Sequence, residues 1–330
     1  MTKAYPNLLS LIFNRAHMMT PELMAMAVDF SRSHLGLAAT ATAAPAPATG
    51  MAMYDYDLDD DEDGEGENDD DQDEDRNSFG LSVIPIAGPL VPRTGNLNLC
   101  EQMTAYENVG ARIDAALADP DVGHIVFDID SPGGASTGAF ELADKIRAAG
   151  QIKPTTAIVN FNAMSGAYLL AAACNEISVS QTGGVGSIGV IAQHLDVSAM
   201  NEAMGIKITA VYRGDKKNNL SPNEPLTESS LQELDGMVDR TYRQFTSAVA
   251  KYRSIPLQDV IDTQAGLYFG QDAIKAGLAD RLETPQSAIN RIAGALAEAR
   301  TAKMQQMRSM QLQRQAIYTK ASAMRMRAMM

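Results

Sequence analysis

The chain has 330 residues and a formal net charge of -14, yet fifteen of its 41 acidic residues fall between Asp55 and Asp75, where no Lys or Arg occurs. Without that run the chain is close to neutral, so the total describes neither a basic nucleic-acid-binding protein nor a uniformly acidic catalytic domain. Cys100 and Cys174 stand far apart without metal-ligand spacing, which excludes a disulfide scaffold and a zinc site and fits a reduced, cytosolic setting.

Met1 to His17 carries only a short apolar stretch, Leu8 to Phe13, broken by Asn14 and Arg15. That is too short to span a bilayer, and neither a signal peptide nor a membrane anchor is expected. A helix is expected next: Thr20 can cap it, Pro21 suits its first turn, Leu23, Met24, Ala27 and Phe30 recur at helical spacing, and Gly36 stops it. Residues 37–80 are an Ala/Thr/Pro run followed by the acidic run, and neither buries enough apolar surface to offset chain entropy. A disordered linker is the expectation there.

From Leu81 the pattern changes. Strand-like runs at Leu81–Ile86, His124–Ile129, Thr155–Asn160, Glu176–Val179, Gly189–Gln193 and Ile208–Tyr212 alternate with helical stretches at 101–118, 136–149, 165–173 and 197–204. This alternation predicts an α/β domain with a mostly parallel sheet covered by helices. A longer helix over 227–252 has Leu231, Leu234, Val238, Phe245 and Val249 on one stripe, which reads as core or subunit contact. After Glu298 no acidic residue occurs, while Lys303, Arg308, Arg314, Lys320, Arg325 and Arg327 are interleaved with methionines, predicting a basic helical tail. The expected organisation is an N-terminal helical segment (1–36), the linker (37–80), one catalytic-type domain (81–285) and the tail (286–330). No solenoid or propeller period is present.

Three local features carry chemistry. The run His124 to Asp130 leads into Ser131-Pro132-Gly133-Gly134 and a helix. Two glycines after a strand let backbone N–H groups point outward beside a helix N-terminus, an arrangement suited to an oxyanion. A plain strand-to-helix turn explains the same residues. In the second feature, Asn160 to Tyr168, Ser165 opens an Ala-rich helix at the carboxyl edge of the sheet, with the Gly166 amide beside it. An ordinary helix cap would also place a serine there. No histidine among His17, His34, His124 and His194 has surroundings that mark it as a base. The third feature, Tyr212-Arg213-Gly214-Asp215-Lys216-Lys217-Asn218-Asn219-Leu220-Ser221-Pro222, offers a lysine instead. A lysine acts as a base only when neutral, which burial against apolar walls favours; a pair of solvated loop charges is the competing reading.

In this order the features resemble the signal peptide peptidase A family, whose members share the Clp-protease/crotonase-like fold of repeated β-α units. The resemblance covers 81–285 and rests on Asp130 to Gly134, Met164 to Tyr168, Gly183 to Val190, and Lys217 to Pro222 followed by Pro225-Leu226-Thr227. It implies a serine peptidase in which Ser165 is the nucleophile, Lys217 the base, Ser187 the hydroxyl that orients the base, and Gly134 with Gly166 the oxyanion hole, Gly133 supporting the turn. Ala167 departs from the usual Ser-Gly-Gly-Tyr pattern and bears on pocket shape. The N-terminal helix, the single domain and the helical tail resemble the head maturation proteases of tailed bacteriophages within that family.

That implies polypeptide substrates such as scaffold, capsid or portal proteins, a homo-oligomer, no cofactor or metal, no nucleic acid and no membrane. The implied location is the host cytoplasm or the interior of the immature head. Competing readings are a soluble bacterial quality-control peptidase, a crotonase-like acyl-CoA enzyme without a nucleophilic serine, and a non-catalytic assembly protein whose acidic run and basic tail mediate contacts.

Overall fold

In the computed structural model, residues 12–34, 80–93 and 103–328 are described. The Ala/Thr/Pro and acidic runs, the Gly36 stop, Cys100 and the first eleven residues lie outside them. The described chain is a mixed α/β structure built on parallel strands.

Strands β1 (His17–Met19), β2 (Leu81–Ala87), β3 (Leu90–Val91), β4 (Thr104–Ala105), β5 (His124–Ser131), β6 (Gly133–Ala135), β7 (Thr155–Met164), β8 (Glu176–Val179), β9 (Gly184–Gly186), β10 (Leu267–Phe269) and β11 (Arg281–Leu282) form two sheets. The large sheet runs β10-β9-β7-β5-β2, with β8 beside β7 and β11 beside β8. Every pair in it is parallel except β9 with β10. Its central strands read as near-continuous apolar runs because both faces are covered: Ile125, Val126, Phe127, Ile129, Ala157, Ile158 and Val159 are all buried. β7 forks, its first half pairing with β8 up to Val159 and its last three residues with β9. The small sheet runs β1-β6-β3-β4, and its strand β6 follows directly on β5 in the chain.

Helices α1 (Pro21–His34), α2 (Tyr106–Ala118), α3 (Ala139–Ala149), α4 (Gly166–Ala172), α5 (Ser198–Ala203), α6 (Glu228–Arg253), α7 (Leu257–Asp262), α8 (Gly270–Lys275) and α9 (Pro285–Ala328) complete the described chain. The main core joins Ile113 of α2, Ile146 of α3, Leu169 of α4 and Phe245 and Val249 of α6 to Ile125, Phe127 and Ile129. The alternate strand positions, Val126 and Ile158, face the other way and pack on Ala288 and Ile292 of α9. Period-two alternation therefore assigns successive β5 residues to the two faces. Thr227 caps α6 by accepting from Ser230 N at 3.2 Å, and Thr20 likewise accepts from Leu23 N at 3.3 Å at the start of α1.

Two expected strands differ. Gly189–Gln193 makes only an isolated bridge, between Ile191 and His17. Ile208–Tyr212 has no partner strand among the described residues and is exposed throughout. The predicted tail is helical, but its first turns are part of the fold: Arg291 binds Glu176 and Glu283, and Arg300 donates to Asp121 O at 2.7 Å. From Thr301 to Thr319 every residue is exposed.

Candidate active site

The turn after β5 requires its glycines. Gly133 has φ 91°, and a Cβ there would overlap the Met18 carbonyl; a Cβ on Gly134 would overlap the backbone of Leu90. Ser131 Oγ ties the turn down, donating to Gly88 O at 2.7 Å and accepting from Gly133 N at 3.2 Å.

Ser165 stands between β7 and α4 with φ 55° and ψ -116°, and its side chain makes no capping bond. An ordinary cap has extended backbone and a hydroxyl turned onto the helix amides. Neither is found here, so the cap explanation fails. Non-glycine residues persist in such sparsely populated regions only where the surroundings impose them, and they cluster at functional sites. The imposing bonds are Ser165 N to Gly186 O at 2.8 Å and Leu169 N to Ser165 O at 3.1 Å. The hydroxyl, 1% exposed with its residue, makes only a long contact of 3.4 Å to Gly189 O.

Gly166 and the glycine turn face each other. The Gly134 N lies 3.5 Å from where a Cβ on Gly166 would be, and the Gly166 N lies 3.0 Å from the Cβ position of Gly133. The two main-chain amides, one of them at the start of α4, thus lie close together next to Ser165.

Ser187 is the neighbour on the other side. It follows β9, has φ 53°, is 9% exposed, and accepts from Gly189 N at 2.8 Å through its carbonyl, which sets the Gly189 carbonyl beside Ser165. Lys217 lies in the turn Gly214–Leu220, its amide bonded to Gly214 O at 2.9 Å. Lys216 and Lys217 are both exposed, so the described residues of one chain do not supply the desolvation that a neutral amine needs. The structure thus brings together Ser165, Ser187, Gly133, Gly134 and Gly166 and leaves Lys217 in solvent. The turn is nevertheless anchored: Leu220 N donates to Ser230 Oγ at 3.0 Å, and Asn219 Nδ2 to Glu233 at 2.7 Å.

His17, His124 and His194 all bond groups other than Ser165. His17 Nε2 donates to Ile12 O at 2.9 Å, His124 Nε2 meets Thr156 Oγ1 at 2.9 Å, and His194 Nδ1 meets Asn14 Oδ1 at 2.9 Å. Burial above all pulls His124 down to about 4, with Arg291 adding to the effect and Glu176 opposing it. Burial likewise lowers His17, against the opposing bond to Ile12. Cys174 is buried and its thiol is pushed up by desolvation, leaving it inert. Among the described residues no group of three acidic, His or Cys side chains is placed to hold a metal, and no helix is long and apolar enough to cross a membrane.

Missing from the sequence reading was the segment before α1. Strand β1 passes over the glycine turn, pairing Met18 with Gly134. Three residues without alternation give no strand signal, and only the Thr20-Pro21 helix start marks where the segment ends.

The chain spans about half the length of the curated relatives it matches first. It is 39% identical over 217 residues to the capsid assembly protease C of Escherichia phage lambda, covering 66% of this chain and 49% of that protein. It is 38% identical over 217 residues to the head-tail preconnector protein GP5 of Enterobacteria phage P21, covering 66% and 43%. A more distant relative is the chloroplastic serine protease SPPA of Arabidopsis thaliana, 28% identical over 157 residues, or 47% of this chain and 23% of that one. The model of peptidase family S49 matches residues 147–325, which hold Ser165, Ser187 and Lys217. The chain belongs to peptidase family S49.

Proposed function

We propose that this chain is a serine endopeptidase with a Ser165/Lys217 dyad, acting on scaffold, capsid or portal proteins during the maturation of a phage head. The reading rests on the strained Ser165 backbone facing the amides of Gly134 and Gly166. Ser165 Oγ attacks a peptide carbonyl while the uncharged Lys217 amine takes its proton. The oxyanion accepts from Gly134 and Gly166, each donor lowering the barrier by about 2.7–4 kcal/mol. Lys217 then protonates the leaving amine, and water, activated by the same amine, releases the acyl group. Ser187 orients the amine, and no metal or cofactor enters. Catalysis is assigned to residues 81–285, a domain of Clp-protease/crotonase type, acting in the host cytoplasm or inside the immature head. The S49 match favours peptide hydrolysis over acyl-CoA chemistry, and the two phage relatives favour head maturation over bacterial quality control.

Because Lys217 is exposed in one chain, a second copy completes the site in this reading. The arm from Gly205 to Lys217 supports it: it is exposed along its length and carries Ile206, Ile208, Val211 and Tyr212, an apolar surface suited to burial in a homo-oligomer. Mixing inactive Ser165→Ala and Lys217→Ala chains tests this directly, since an intersubunit dyad regains cleavage in the mixture. An acylating inhibitor should label Ser165, and mass spectrometry of cut ends after incubation with candidate capsid and scaffold proteins should give serine-dependent cleavage. Full activity of either single variant on its own removes the dyad.

A further inference from the structure

We propose that β1 is the chain's own occupant of its peptide cleft, a strand that any substrate must displace. This rests on reading Gly134 and Gly166 as the oxyanion donors.

Strand β1, His17–Met19, is held with its flanking residues between two edges. On one side Thr20 N donates to Pro132 O at 3.1 Å and Met18 pairs with Gly134. In an antiparallel ladder hydrogen-bonded pairs recur every second residue, so the Met18 carbonyl accepts from Gly134. On the other side His17 N donates to Ile191 O at 2.8 Å, Ile191 N returns to His17 O at 3.0 Å, and Asn14 N donates to Gln193 O at 2.9 Å. Ser136 Oγ adds a bond to Ala16 O at 2.7 Å. This is recognition by strand addition, in which main-chain bonds give affinity and alternate side chains give selectivity.

The position of one atom makes the arrangement exclusive. The Met18 carbonyl oxygen takes the Gly134 amide, one of the two donors an oxyanion would use, and lies close to both Gly133 and Gly166. The Met18 side chain is fully buried in the main core. Substrate and β1 thus compete for the same amides, and Ser165 is buried while β1 is in place.

The segment is also built to leave. Its second ring nitrogen on His17 is buried without a partner among the described residues, an unsatisfied group that weakens docking. Ile12, Phe13 and Met24, with Ile191 and Leu195, form a small cluster of their own, so Met18 is the one β1 side chain that undocking withdraws from the main core.

The test uses full chains carrying Ser165→Ala, which cannot cut a probe, and a fluorescein-labelled peptide copying Phe13 to Glu22. Adding Met18→Lys places a charge in the buried core and expels β1. Fluorescence anisotropy should show the peptide binding at least about tenfold more tightly to the double variant, because a cleft that is only fractionally open lowers apparent affinity by that fraction. Equal binding by both chains, each folded by circular dichroism, overturns the proposal. If the lysine variant unfolds, Met18→Gly removes the buried side chain without adding a charge and is judged by the same two outcomes. A parallel chain with Ser165 intact and Met18→Lys is assayed on labelled casein. Peptide capture without casein cleavage removes the peptidase reading and leaves the occluding strand; cleavage without enhanced peptide capture does the reverse.

Discussion

Replacing Ser165 by glycine should stabilise the fold while abolishing cleavage. At φ 55° and ψ -116° the residue occupies a region natural to glycine, and a side chain held there costs of order 1–3 kcal/mol. Glycine removes that cost but adds about 0.5–1 kcal/mol of unfolded-chain entropy. The hydroxyl contributes little in return, since its one contact, to Gly189 O, is 3.4 Å long. Ser165→Ala keeps the strain and loses only the hydroxyl, so it is the reference. The net expectation is that Ser165→Gly exceeds Ser165→Ala by about 1 kcal/mol, or roughly 2–4 °C in Tm for a domain of this size. Differential scanning calorimetry of the two inactive chains measures this without interference from self-digestion. A glycine variant melting at or below the alanine variant would refute the claim that the backbone at Ser165 is strained.

Gly134→Ala forces a methyl into the Leu90 backbone, parting β3 from β6, and should lower kcat/KM by at least about 100-fold with a loss of roughly 1–3 kcal/mol in urea unfolding; an active alanine variant would clear Gly134 of any oxyanion role. His124 is held neutral, from 6.5 down to about 4, so the unfolded state binds more protons than the folded one between those values. Stability should therefore fall as the pH drops from about 6.5 towards about 4, and His124→Gln should flatten that part of the curve relative to the parent chain. Arg253→Ala removes a guanidinium whose side chain is 7% exposed and which binds both Asp280 oxygens and Gly277 O, at an expected cost of about 2 kcal/mol; an unchanged urea midpoint would show the bonds to be replaceable by water.

The strands most plainly written in the sequence are those buried on both faces. His124–Ile129 and Thr155–Asn160 are runs of apolar, largely β-branched residues, and both form, extended to Ser131 and Met164. Ile208–Tyr212 has similar composition, yet composition does not supply a neighbour to pair with, and one chain provides none among its described residues. Strands β1 and β10 are three residues each, and their pairing partners lie far away in the chain, so no local period announces them. The glycine turn and Ser165 were legible as candidates from their place after parallel strands. What separated a strained elbow from a helix cap was a dihedral angle, which residue identity does not encode. The lysine base shows the opposite limit: its type and spacing are readable, but its solvation depends on what packs over it.

The fork of β7 ties the catalytic turn to a remote stretch of chain. Ser165 hangs by its amide from Gly186, and Gly186 is in turn clasped antiparallel by Leu267. Loosening around β10, by a proteolytic nick or a truncation past α6, would slacken β9 and with it the serine, although nothing there touches a substrate. Inactive variants mapping to residues 257–270 would then report a lost tether rather than lost chemistry.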